Sequence, residues 1–199
     1  GRHSDRDAGG TAEDLMSDPR PAQAVKLVAS VFSAKDDAIG AAVKALSAEF
    51  GRADFISVPL SFEYTDYYAV EMGAPLRRRF LSFESLFRPE LLPDVKCFTN
   101  RLEEASKGEG KRRDMNIDPG YLSQAHLILA TGKGYAHRPY LRDGIYADLT
   151  LIFRQGSFEA LPWTYPDYAA PETIQLFNGI RRKYLLQMKR LRHREDGNS

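Results

Sequence analysis

The chain has 199 residues, 43% hydrophobic and 28% charged, with 28 Lys and Arg against 27 Asp and Glu. That length predicts one domain, able to bury about 70% of the surface its unfolded form exposes, so no disulfide or metal staple is needed. The balanced charge and the lack of any apolar run near ~18 residues give no reason to expect nucleic acid or a membrane as partner, and no stretch resembles a signal peptide.

Residues 1–24 are polar and without hydrophobic periodicity and read as a disordered leader. Met16-Ser17-Asp18-Pro19 reads as the native start. A single α+β domain is expected over 25–195. Val25 to Phe32 is a buried strand by its β-branched, apolar run. Asp36 to Phe50 is a helix, with Ile39, Val43, Leu46 and Phe50 at helical spacing, Ser33 or Asp36 as cap and Gly51 past its end. Asp54 to Phe62 is the next strand, and Pro59 within it signals an edge or a bulge. Arg78 to Phe87 alternates as a strand should. Leu91 to Ser106 is a helix whose apolar face carries Val95, Phe98, Leu102 and Ala105. Lys107 to Arg113 is a flexible basic loop, and Arg113 to Ile117 a short fourth strand.

The order β-α-β-β-α-β is the ferredoxin-like arrangement. The expected fold is therefore an α+β, ferredoxin-like βαββαβ core with three additions. They are a buried helix over Tyr121 to Thr131, a β-hairpin, and a C-terminal helix over Thr173 to Arg192. The hairpin pairs Ile145–Phe153 with Phe158–Leu161, and Arg142-Asp143-Gly144 before it is a turn signal.

Three stretches carry a family resemblance: Tyr64–Tyr68 through Arg79–Phe83, Asn116–Tyr121, and Leu161–Tyr168. Together with His137-Arg138, Asp143–Ala147 and Phe98-Thr99-Asn100, they resemble the bacterial family called domain of unknown function 4416, over about Val25 to Arg181. The resemblance implies a prokaryotic cytoplasmic protein and brings no established activity. The one cysteine, Cys97, excludes an internal disulfide, which fits a reducing compartment.

Polar groups collect at the predicted element ends, where binding groups commonly sit. Asp66, Tyr67, Tyr68 and Glu71 follow the second strand, Asn116 and Asp118 close the fourth, Lys133, His137 and Arg138 follow the added helix, and Asp143 and Asp148 frame the hairpin. Cations mixed with carboxylates would suit a small phosphorylated or nucleotide-like ligand, with Mg²⁺ held by Asp118 and a second carboxylate as an option. His137 and Asp118 are then the candidate catalytic pair, and Trp163 and Tyr165 could stack a base or sugar ring. A P-loop is excluded, because Thr131-Gly132-Lys133-Gly134 lacks both the first glycine and the hydroxyl. The four histidines, His3, His126, His137 and His193, have no paired spacing, so no zinc site is expected.

Each feature also has a structural reading. Asp118-Pro119-Gly120 is equally a turn capping the following helix, and Asp143-Gly144 a hairpin turn. His137 could simply meet a carboxylate, and His126 a core partner. Trp163 to Tyr168 could only cover the sheet, and Arg77–Arg79 and Arg181–Lys183 could be solvated. Two further function classes stay open: a protein-interaction module docking through the aromatic segment and basic helix, and RNA binding on an open sheet face.

Overall fold

Strand β1 (Val25–Ser33) is buried at all nine of its residues, which places it at the centre of a sheet covered on both faces. The computed structural model describes residues 18–61, 66–73, 75–107 and 112–196. Around β1 it assembles nine antiparallel strands in the order β2-β4-β1-β5-β6-β8-β7, with β3 beside β4 and β9 beside β8. The strands are β2 (Ala53–Ile56), β3 (Leu60–Ser61), β4 (Arg77–Phe87), β5 (Asn116–Leu122), β6 (His126–Thr131), β7 (Tyr140–Arg142), β8 (Ile145–Arg154) and β9 (Ser157–Ala160). The helices are α1 (Asp36–Phe50), α2 (Asp66–Met72), α3 (Leu92–Ala105), α4 (Pro166–Ala169) and α5 (Pro171–Asp196).

The period of two along each strand divides the apolar residues between two layers. Leu27, Ala29 and Val31 of β1, with Leu81 and Phe83 of β4, meet Ile39, Ala42 and Leu46 of α1 and Val95 of α3. On the opposite face, Val28, Phe80, Leu127 and Leu151 meet Tyr168 of α4 and Phe177, Ile180 and Tyr184 of α5. Helix α5 is also tied down by a buried lysine. Lys26 Nζ donates to Asp54 Oδ2 at 2.8 Å, to the Phe83 carbonyl at 2.8 Å and to Gln187 Oε1 at 2.7 Å.

Most predicted elements are present, and three expectations need correction. The segment Tyr121 to Thr131 is not a helix but the end of β5, a tight turn and β6. Its run Leu127-Ile128-Leu129-Ala130 is continuously apolar because β6 packs on both faces: Leu127 and Leu129 toward α5, Ile128 and Ala130 toward α3. Periodicity cannot separate such a strand from a buried helix. Ser123 makes the turn, its Oγ accepting from the amides of Ala125 (3.2 Å) and His126 (3.1 Å). Consequently Asp118-Pro119-Gly120 is no helix-capping turn; it runs through β5 opposite Ser30, Ala29 and Val28. The stretch from Asp54 is split at Pro59 into β2 and β3, and Ser57 bridges the break by exchanging hydrogen bonds with the Phe80 backbone. Phe62, the leader through Ser17 and residues 108–111 of the basic loop lie outside the described residues.

Candidate ligand cleft

Strands β5 and β6 pair only from Gly120↔Leu129 to Leu122↔Leu127. The first four residues of β5 therefore pair with β1 alone, and the sheet opens there. Gly120 sits at the apex of the opening. A Cβ on it would lie 2.3 Å from the Ile128 carbonyl oxygen and 2.7 Å from Leu129 Cδ2, so only glycine permits this approach. Above the opening lies a cleft of about 650 Å³, within the range of small-molecule sites.

One wall is built by α3 and β5. Glu103 receives the Ile117 amide at 2.8 Å on Oε1 and Arg113 Nη1 at 2.6 Å on Oε2. Arg113 also grips Glu71 of α2 through two bonds of 2.9 Å, and its Nη1 reaches Asn116 Oδ1 at 3.2 Å. Asn116 then donates from Nδ2 to Asp118 Oδ2 at 2.9 Å. Lys96 Nζ bonds the Ile117 carbonyl at 3.1 Å and stands 3.9 Å from Asp118 Oδ1. Burial pushes the Glu103 carboxyl above its usual range despite the cations beside it, whereas the Arg113 hydrogen bonds hold Glu71 below its own. The Tyr68 hydroxyl at the mouth is pushed up to about 12, chiefly by burial and then by the charge of Asp118.

The other wall follows β6 and β8. Arg138 Nε donates to Asp148 Oδ2 at 2.7 Å, Nη1 to the Lys133 carbonyl at 3.2 Å and Nη2 to the Tyr165 hydroxyl at 3.2 Å. Lys133 lines the cleft, and its ammonium has no ion-pair partner among the described residues. The floor is an ion pair between Arg78 and Asp167, both buried, with the guanidinium between the rings of Phe32 (5.3 Å) and Tyr168 (5.6 Å).

Seven of the candidate residues thus come together at one cleft: Tyr68, Asn116, Asp118, Lys133, Arg138, Asp148 and Tyr165. His137 stands behind this wall, its Nε2 3.6 Å from Asp148 Oδ2 and its ring stacked on Trp163 at 5.0 Å and 15°. Trp163 donates from Nε1 to the Leu149 carbonyl at 2.7 Å, so it anchors the segment after β9. Asp143 is elsewhere, in the exposed turn between β7 and β8, where it pairs with Arg142 at 2.6 Å. Its φ of 55° and that of 75° at Gly144 make the primed turn that suits a two-residue hairpin. The side chains of Asp66 and Tyr67 lie outside the described residues. No group of three or more His, Cys, Asp or Glu able to hold a metal ion is present among the described residues.

Sequence reasoning missed the contribution of α3. Lys96, Asn100 and Glu103 recur at i, i+4 and i+7, a polar stripe readable as a second helical face. It also missed Arg78 and Asp167. Strand alternation puts Arg78 on the inner side with Phe80 and Ser82, away from its neighbours Arg77 and Arg79.

Fold and cleft together define an α+β protein with a polar, mixed-charge cleft in a split antiparallel sheet. Its sequence matches the family described as domain of unknown function (DUF4416) over residues 23–184, and the chain belongs to that family. No curated protein and no solved structure matches it. No helix among the described residues is long and apolar enough to cross a membrane.

Proposed function

We propose that the protein binds a small phosphate-bearing molecule in the cleft between β5 and β6. The observation that carries this reading is the convergence of Lys133, uncommitted to any carboxylate among the described residues, with Arg138 on one wall of a cleft of about 650 Å³. Cations aimed into a partly enclosed site recognise phosphate through charge-assisted hydrogen bonds. Asp118 and His137 remain the candidates for chemistry on such a ligand; His137 could act only through Asp148 or after moving past it. The test is a thermal-shift screen of phosphate-bearing compounds against the protein and Lys133→Ala. A ligand at a hundred times its Kd adds about 2.7 kcal/mol, or roughly 5–10 °C for a domain of this size. A rise of that order that shrinks in Lys133→Ala supports the proposal, and no rise with any phosphate compound contradicts it.

We further read the first half as a ferredoxin-like core. The order β2-β4-β1-β5, antiparallel throughout, with α1 and α3 as crossovers on one face, supports it. A cytoplasmic setting is in keeping with the single cysteine. The second functional reading, a protein-docking module, is favoured by Tyr135, Tyr140 and Leu141, which are exposed around edge strand β7. It predicts that Tyr140→Asp loses a bound partner while ligand shifts persist. RNA binding on an open sheet face is not carried further, since β1 is buried throughout.

A further inference from the structure

We infer that the cleft selects a sugar phosphate, a phosphate ester whose far end carries hydroxyl groups, over both bare phosphate and a nucleotide. This deepens the phosphate reading above and rests on it.

The two walls differ in charge balance. On the β6–β8 side, Lys133 and Arg138 are set against one carboxylate, Asp148. On the α3–β5 side, Lys96 and Arg113 are balanced by Glu103 and Asp118, so this wall lacks the cationic excess of the first. An anionic group is therefore favoured at the first wall and hydrogen-bond donors at the second. Asp118 is the acceptor left for them. Its Oδ2 is occupied by Asn116, while Oδ1 stands 3.9 Å from Lys96 Nζ, beyond hydrogen-bond reach, and the side chain is 34% exposed. Asn116 is itself fixed by Arg113, so the carboxylate is held before any ligand arrives. Strands β5 and β8 flank β6, and β5 has parted from β6 at Asp118, so the backbones of the two walls stand at least two strand spacings, about 10 Å, apart. A sugar phosphate bridges that gap with a hydrogen bond at each end, and a lone phosphate does not.

A nucleotide would also need a stacking platform for its base, and three of the four rings lining the cleft are already packed, which leaves only the exposed Tyr165, tethered through its hydroxyl. Phe32 meets Tyr68 edge to face at 4.9 Å, and Tyr168 lies on Phe177 at 6.0 Å. Trp163 is stacked with His137, and the Tyr165 hydroxyl is held by Arg138.

The experiment is isothermal titration of the full chain with glucose 6-phosphate, ribose 5-phosphate, ethyl phosphate, inorganic phosphate and AMP. The expected result is that one of the sugar phosphates binds at least about tenfold tighter than ethyl phosphate or AMP, the worth of a hydrogen bond to a carboxylate. Asp118→Asn erases that preference and leaves ethyl phosphate within about threefold, whereas Lys133→Ala weakens all the esters alike. Equal binding of ethyl phosphate, tightest binding of AMP, or a preference that survives Asp118→Asn overturns the inference and leaves the phosphate reading standing. Binding of none of the five overturns both. The comparison among ligands on the unsubstituted protein decides the matter even where Asp118→Asn does not fold.

Discussion

Gly120→Ala is the sharpest test of how the sheet is split. The added methyl would sit 2.3 Å from the Ile128 carbonyl oxygen, 2.7 Å from Leu129 Cδ2 and 3.1 Å from Leu129 Cα. The leucine methyl can rotate away, but the carbonyl and the Cα belong to the backbone of β6, which is held on its other side by β8. Relief therefore requires β5 and β6 to separate at their first pair, Gly120↔Leu129, leaving a three-pair ladder to weaken. Overpacking of this kind costs about 2–3 kcal/mol, which for a domain of this size lowers Tm by roughly 4–12 °C. Thermal unfolding followed by circular dichroism measures the loss. Amide exchange at Leu129 and Ala130 should quicken more than at β1. A Tm within about 1 °C of the unsubstituted protein, with exchange unchanged, would refute the claim that close backbone approach makes this position glycine.

Three other substitutions probe the buried charges. Lys26→Met leaves Asp54 without its main partner and should cost about 3–5 kcal/mol by urea denaturation, while Lys26→Met with Asp54→Leu should cost less than the single change. Burial pushes the Asp54 carboxyl up, but bonds from Lys26 and Ser82 outweigh it and hold the group below its usual range. Its stabilisation is therefore present above the unfolded-state value and lost as pH falls through the folded one, so Asp54→Asn should flatten the acid limb of a stability-versus-pH curve. Removing Arg78 as Arg78→Met strands the buried Asp167 of α4 and should cost a similar ~3–5 kcal/mol in the same assay. Trp163 is the only tryptophan and lies against the His137 imidazole. His137→Ala removes the stacked ring and should shift the tryptophan emission, as steady-state fluorescence reads.

Much of the fold was legible because its strongest signals are local. Helix α1 spans the expected residues and Gly51, at φ 89°, ends it, but its cap position is Lys35 without a side-chain cap bond, and neither Ser33 nor Asp36 caps it. The β8 strand and the Asp143-Gly144 turn were likewise readable. The error at Tyr121 to Thr131 has a physical source: a strand packed from both sides loses the alternation that identifies it, and Pro119-Gly120 imitates a turn while serving a close strand approach. The site was half legible. Polar groups from β5, β6 and β8 converge because neighbouring strands bring their ends together. The α3 stripe was passed over because Glu103 and Lys96 on a helix read as solvent-facing, and only the tertiary fold buries them against β5. Asp143 looked equivalent to Asp148 in sequence. Its position at the tip of a hairpin, five residues away along an extended strand, takes it out of reach.

The most direct test of the account is to locate the ligand by amide chemical-shift mapping during titration with ribose 5-phosphate. The account predicts perturbations concentrated at Asn116–Gly120, Thr131–Arg138 and Asp148. Perturbations confined to the basic end of α5, Lys189 to Arg194, or an unchanged spectrum at saturating ligand, would contradict it.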